Sequence, residues 1–255
     1  MKVTFLGTGT STGVPVVGCH CDVCTSKDPK NQRLRQSLKI EIGGRHILID
    51  TTPDLRIQLL RDPIPHLDFI LFTHSHSDHI MGLDDIRPFN FFHRKPMTAY
   101  ASPLTAKAIR RAFSYIWDER AQEGGGKPKL ILNEVEQPFA HEGIEVVPIP
   151  VRHGDWTILG YRIGSFAYIT DTNGIPDSSL ALLDGIDTLA IDGLRVRPHH
   201  PTHFTIPEAV EQARVVNARQ TWLIHIAHDV DHQTVDATLP DGFGLAWDGL
   251  TLELP

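Results

Sequence analysis

The sequence is short of cysteine, of long apolar runs and of positive charge, and each shortage removes a class of protein. Three cysteines in 255 residues cannot make a disulfide framework, and an odd number fits a reducing compartment. No run of about 20 apolar residues occurs, so nothing reads as a membrane span. The opening Met1-Lys2-Val3-Thr4-Phe5-Leu6-Gly7 is broken by glycine too early for a signal peptide. A cytoplasmic address without a membrane partner follows as the expectation. With 24 basic against 31 acidic residues the net charge is −7. The absence of a strongly basic face argues against a dedicated nucleic-acid partner. The turn Gly7-Thr8-Gly9-Thr10-Ser11-Thr12-Gly13 lacks the Lys-Ser/Thr ending of a P-loop. It reads as a structural turn, with a phosphate cradle as the alternative.

What the chain does have is histidine, 15 in all, and the densest group is Thr73-His74-Ser75-His76-Ser77-Asp78-His79. It follows Leu67 to Phe72, an apolar run of strand length. His74 and His76 point the same way while the backbone is extended, and a turn then brings Asp78 and His79 to a second point nearby. Imidazoles and a carboxylate crowded at a strand end suit zinc, and the carboxylate leaves manganese or iron open. Without a metal the cluster would cost stability by crowding polar groups.

All three cysteines lie together in Gly18-Cys19-His20-Cys21-Asp22-Val23-Cys24. Thiolates this close repel one another unless a metal holds them, and three sulfurs leave one tetrahedral position for a histidine from elsewhere. The alternative is three reduced thiols in a loop. Ser37 to Ile42 and His46 to Ile49 flank Gly43-Gly44 as a hairpin, and Thr52-Pro53 reads as the start of a short helix. Ser102-Pro103 begins a helix with Leu104, Ala108, Ala112 and Ile116 as its core stripe. Between Asp84 and Arg120 basic residues outnumber acids. A loop-and-helix insert of that kind lids a site or forms a homodimer interface, and a solvated face is the alternative. Gly124-Gly125-Gly126 reads as the most flexible point. Strands are expected at Glu145 to Pro148, Tyr161 to Ile163, Ser165 to Ile169, Leu189 to Ile191 and Trp222 to Ile224. Thr205 with Glu208 forms a capping box for a further helix. The length suits one domain spanning residues 1–255.

His-x-His-x-Asp-His resembles the metal motif of the metallo-β-lactamase superfamily, mostly two-metal hydrolases. That resemblance implies an α/β fold, an αββα sandwich of two mixed β-sheets flanked by helices. It also implies a histidine, an aspartate and a histidine downstream in that order, matched here by His153, Asp171 and His225. His74, His76 and His153 would then bind one metal and Asp78, His79 and His225 the other, with Asp171 between them. Asp50 would orient the metal loop through hydrogen bonds, a buried aspartate near a helix start being its plain alternative. Two such metals, zinc or manganese, bring a shared water to near-neutral pKa, and Asp78 can both ligate and orient it.

Gly7-Thr8-Gly9, Gly13-Val14-Pro15, the cysteine loop, Thr202-His203, His225-Ile226-Ala227-His228 and Leu239-Pro240-Asp241-Gly242-Phe243 narrow the likeness. Together they resemble the phosphoribosyl cyclic phosphate phosphodiesterase (PhnP-like) family almost from end to end. By that resemblance His228 joins Cys19, Cys21 and Cys24 on a structural zinc. His203 contacts phosphate and protonates the leaving oxygen. The implied activity is hydrolysis of a small, cyclic phosphodiester. A tRNA 3′-processing endonuclease and a protein of pyrroloquinoline quinone synthesis are the alternatives in the same superfamily.

Overall fold

In the computed structural model, which describes residues 1–121, 124 and 126–255, the first strands build one sheet in chain order. They are β1 (Lys2–Gly7), β2 (Ser37–Ile42), β3 (Arg45–Ile49), β4 (Phe69–Leu71), β5 (Met97–Ala101) and β6 (Leu130–Glu134). The next group builds a second sheet: β7 (Phe139–His141), β8 (Ile144–His153), β9 (Trp156–Ile163), β10 (Phe166–Ile169), β11 (Thr188–Asp192), β12 (Gln220–Ile224) and β13 (Phe243–Leu245). The last strand, β14 (Thr251–Glu253), returns to the first sheet beside β1. Each sheet has seven strands and is mixed: β3 to β6 are parallel in the first, β10 to β13 in the second.

Near-continuous apolar runs, whose successive side chains point to opposite faces, make both faces of each sheet adhesive. Val3, Phe5, Ile47, Ile49, Phe69 and Leu71 point into a core shared with Tyr161, Phe166 and Tyr168 of the opposite sheet. Their neighbours Leu6, Leu48, Ile70 and Phe72 face outward, under the helices Leu55–Arg61 and Pro103–Ala112. On the far side Ala167, Ile169, Leu189 and Ile191 pack beneath the helix Ile206–Val216. The layers are therefore helix, sheet, sheet, helix, the sandwich expected from the sequence. None of the described helices is long and apolar enough to cross a membrane.

Three local expectations change. The first helix begins at Leu55 after Asp54, not at Pro53, and Thr52 is not its cap. The helix Pro103–Ala112 starts at its Ser102 cap as read, but its core face is Thr105, Ala106 and Ile109, continued by Phe113, and of the stripe read as apolar Ile116, beyond the helix, is the member buried there. Leu104 is 60% exposed. The core wants the residues that follow β5 over Ile70 and Leu132, which rotates the helix about one residue from the stripe read as apolar. The basic segment is not wholly an insert, because it contributes β5 to the first sheet. The triple glycine lies partly outside the described residues.

Candidate metal centre

Parallel strands of both sheets end at one edge of the sandwich, and the polar residues just past those ends converge there. This is where open α/β sheets place their sites. Asp50 follows β3, Asp171 follows β10 and His225 follows β12, and all three have positive φ, 63°, 53° and 61°. A left-handed backbone at a residue other than glycine costs about 1–3 kcal/mol. Here it turns each side chain back across the sheet ends. His153 is the last residue of β8.

The motif after β4 splits as its spacing predicts. His74 precedes the helix Ser77–Ile80 and His76 sits at its extended N-cap, φ −62° and ψ 152°, while Asp78 and His79 lie in its first turn. Asp50 holds this turn in place. Its carboxylate accepts from Thr73 N and Thr73 Oγ1, both at 2.8 Å, and from His79 Nδ1 at 2.7 Å. The bond to Nδ1 leaves His79 Nε2 aimed inward as a ligand. Thr202 O does the same for His153, accepting from Nδ1 at 2.9 Å. Asp50 is thus an orienting group and not a helix cap.

Two four-residue sets of ligand atoms result, and a smaller group, Asp192, His203 and His225, overlaps the second. His74, His76, His153 and Asp171 form one, Asp78, His79, Asp171 and His225 the other, with the atoms of each set within 4.8 Å of one another. Asp171 belongs to both: its Oδ2 is 3.8 Å from His74 Nε2 and 3.3 Å from His225 Nε2, and its Oδ1 is 3.3 Å from His79 Nε2. Donors about 2.0–2.2 Å from one ion lie about 3.3–3.6 Å apart, and the contacts of His79 and His225 with Asp171, at 3.3 Å, have that spacing, while His74 stands slightly farther off at 3.8 Å. His79 Nε2 and His225 Nε2 are buried without a hydrogen-bond partner, a costly state for a nitrogen with nothing to bind.

Electrostatics agree with that fit. Burial pushes His74 well below the usual imidazole range, and His76 and His153 also fall chiefly through burial. These are neutral nitrogens with lone pairs ready to ligate. His79 goes the other way. Burial opposes its charge, but Asp171, Asp50 and Asp78 together lift it well above its ordinary value. Burial opposes the charge of Asp171 and Asp78, but His225 and His79 draw Asp171 well below its ordinary value and His79, ahead of His225, draws Asp78 below its own. Such a pocket demands positive charge, which a proton supplies only in part and divalent cations supply fully.

His203 lies against this centre, its ring stacked on His225 at 4.8 Å and 12° and edge-on to His153 at 4.9 Å. Its Nδ1 donates to Asp192 Oδ2 at 2.7 Å. Although burial works against it, the Asp192 carboxylate raises His203 to about 9. His203 Nε2 is left to carry a proton at neutral pH. Asp192 is the partner that reading the sequence missed. Its signal was visible, since it ends β11 as Asp50 and Asp171 follow their own strands. His199 is spent on Glu208 at 2.9 Å, and His200 stands 4.9 Å behind His203. Trp156, also missed, lies 5.0 Å from His76.

The second cluster is separate. Cys19, Cys21 and Cys24 Sγ are 3.5, 3.5 and 3.6 Å from His228 Nδ1. Tetrahedral zinc with bonds of about 2.3 Å to sulfur and 2.0–2.1 Å to nitrogen sets S···N at about 3.6 Å, so this arrangement fits a closed structural zinc. The amide of Cys24 and His228 lower Cys21 to about 6, whereas burial raises Cys24 to about 11. Ile226, between His225 and His228, pairs with the first glycine turn: Ile226 N donates to Thr8 O and Thr10 N to Ile226 O. One short segment therefore serves both clusters. Gly7 in that turn is structural, because a Cβ there would lie 1.9 Å from Arg35 O.

The cysteine loop has only a small apolar cluster, Val14, Val23 and Cys24. Cys21→Ser is therefore expected to lower the thermal midpoint, since structural zinc binding adds directly to folding free energy. Turnover per folded molecule should persist. Calorimetry alongside active-site titration tests this. Loss of activity with the fold and the His/Asp metals intact would place the cysteines in the chemistry.

A model of the beta-lactamase superfamily domain matches residues 45–226. A crystal structure described as a new diphosphatase from the PhnP family superimposes with a TM-score of 0.91 at 42% identity, covering 98% of this chain and 96% of that one. The chain belongs to the metallo-β-lactamase superfamily and, within it, to the PhnP family. It is also 39% identical, over 98% of its length, to an octanoyltransferase of Porphyromonas gingivalis, of which it spans only 51%. Coenzyme PQQ synthesis protein B of Methylorubrum extorquens is 25% identical over 76% of this chain and 73% of that protein.

Proposed function

We propose that the protein is a two-metal phosphodiesterase that hydrolyses a small, cyclic phosphodiester. The observation that carries this reading is Asp171 shared by two ligand sets, with the Asp192-bound His203 beside them. His74, His76 and His153 would hold one metal and Asp78, His79 and His225 the other. When bound, the pair supplies Lewis acidity and an activated water. The chain's own part is geometric and protonic. Asp50 and Thr202 O fix which nitrogens of His79 and His153 face inward. Asp78 and Asp171 orient polar groups at the centre. His203 Nε2 donates to a phosphate oxygen and then to the leaving oxygen, while Asp192 at Nδ1 keeps the ring charged and aligned.

The diphosphatase relative adds a diphosphate bridge, a phosphoanhydride whose phosphate leaving group needs little help from His203, as a second bond to be tested beside the cyclic ester. The octanoyltransferase match covers half of that protein, so acyl chemistry enters only as an arm of the test. A relative in pyrroloquinoline quinone synthesis and a ribonuclease Z at 27% identity keep the other superfamily roles as further arms. The test is a hydrolysis panel: a 2′,3′-cyclic nucleotide, a nucleoside diphosphate sugar, bis-p-nitrophenyl phosphate, an octanoyl thioester, a tRNA precursor and nitrocefin. Turnover confined to the thioester, the tRNA or the β-lactam overturns the reading. Elemental analysis of protein purified without chelator is expected to find three metals per chain, two catalytic and one structural. A single metal per chain would exclude the dinuclear scheme.

A further inference from the structure

Trp156 stands at the mouth of the metal centre on a rigid support. It opens β9 directly across from His153 in the β8–β9 ladder, so the hairpin that delivers a ligand also delivers the indole. The turn between them is clamped. Gly154 N donates to Asn173 Oδ1 at 3.0 Å, and Asn173 Nδ2 donates to Pro201 O at 2.8 Å. Gly154, with φ +60°, lies so close to Thr202 that a Cβ would meet its methyl at 2.9 Å. The hairpin tip is thereby fixed to the loop that carries His203. The indole lies over His76, 5.0 Å between ring centroids with the planes tilted by 38°, yet 46% of the residue is exposed.

The other tryptophans are engaged elsewhere: Trp247 lies under Lys30 and against Trp222, and Trp117 lies beside Arg110. A branched aliphatic residue would cover His76 equally well. A half-exposed indole instead leaves apolar area in water that a ligand can take up. Resting on a ligand to the metals, the ring adjoins the place where phosphate would sit, within the span of one nucleoside phosphate unit. We infer that Trp156 is a stacking platform for a planar heteroaromatic base, so that the substrate is a nucleotide derivative with its phosphorus at the metals. This rests on the phosphate-ester reading above, and it adds the group on one side of the bond that is broken.

The test is binding rather than turnover. Calorimetry on metal-loaded protein compares adenosine 5′-monophosphate with ribose 5-phosphate, which differ by the base. Base–aromatic stacking is worth about 1–3 kcal/mol, about a 5- to 150-fold preference for the nucleotide. Trp156→Phe should keep most of that preference, while Trp156→Leu, an apolar cover without a π face, should abolish it. Metal content is measured for each variant, so that a disturbed His76 is recognised. Equal affinity for the two ligands in the wild type, an unchanged ratio in Trp156→Leu, or no binding of either at millimolar concentration overturns the proposal. Hydrolysis of phosphate esters without base preference would remove the platform and leave the function standing. Base preference without hydrolysis of any phosphate ester would do the reverse.

Discussion

Asp171→Ala is expected to abolish hydrolysis, with a loss of about 10³-fold or more, and to strip the metals of the His/Asp centre while leaving the cysteine-site zinc. Asp171 is the one residue common to both ligand sets, with both carboxylate oxygens turned toward imidazole nitrogens. Metal polarisation is worth several kcal/mol of barrier, and each 1.36 kcal/mol is tenfold in rate. Loss of the shared carboxylate also leaves the His79 charge with fewer partners in a fully buried place, a state that proteins tolerate poorly. Asp171→Asn keeps the volume and serves as the control for collapse of the site. Elemental analysis, circular dichroism and a phosphodiester assay read the three consequences separately. A folded Asp171→Ala protein with full metal content and near-normal turnover would remove Asp171 from the centre.

His203→Ala is expected to keep the fold and all metals, because His203 belongs to neither of the two sets that share Asp171 and its Nδ1 is engaged by Asp192. Its effect should depend on the leaving group. General acid assistance is typically worth about 10²–10⁴-fold, so esters with alkoxide leaving groups should lose that much. p-Nitrophenyl esters, whose leaving group scarcely needs a proton, should lose little. Equal losses on both would indicate phosphate binding alone, and no loss would exclude His203 from the mechanism.

The Asp192–His203 pair also makes a statement about pH. In the metal-free chain the Asp192 carboxylate raises His203 to about 9 against the pull of burial, above the ordinary imidazole value of about 6.5. A raised pKa means the charged pair stabilises the fold fully below about pH 6.5, and this contribution is lost as pH rises through about 9. In chelator-treated protein the His203 ring resonances should show that high midpoint, and Asp192→Asn should bring it down to the ordinary value or below. A midpoint unmoved by Asp192→Asn would mean that the 2.7 Å contact does not govern the proton.

Some of this molecule is written within short stretches of chain. His74, His76, Asp78 and His79 declare a metal site because their spacing acts over one strand end and one helical turn, and geometry at that range depends little on the rest of the fold. The three cysteines do so for the same reason, and the uninterrupted apolar residues of β4 and β10 make strands that are adhesive on both faces wherever they are placed. The capping box of Thr205 and Glu208 is equally local. His153, Asp171, His225 and His228 are legible only through their order in a known motif, since nothing near them in the chain says that they meet.

Tertiary structure decided the rest. Sheet register brings the ends of β3, β4, β8, β10 and β12 to one edge, and the left-handed turns at Asp50, Asp171 and His225 aim the side chains across it. The same register sets Asp192 behind His203 and Trp156 over His76, pairs 11 and 80 residues apart in sequence, which no local pattern relates. It also rotates the helix Pro103–Ala112 so that Ile109 is buried and Leu104 is not. Local spacing can specify the chemistry of a ligand set, but which distant groups touch it is set by long-range strand pairing and by the packing of each helix on its sheet.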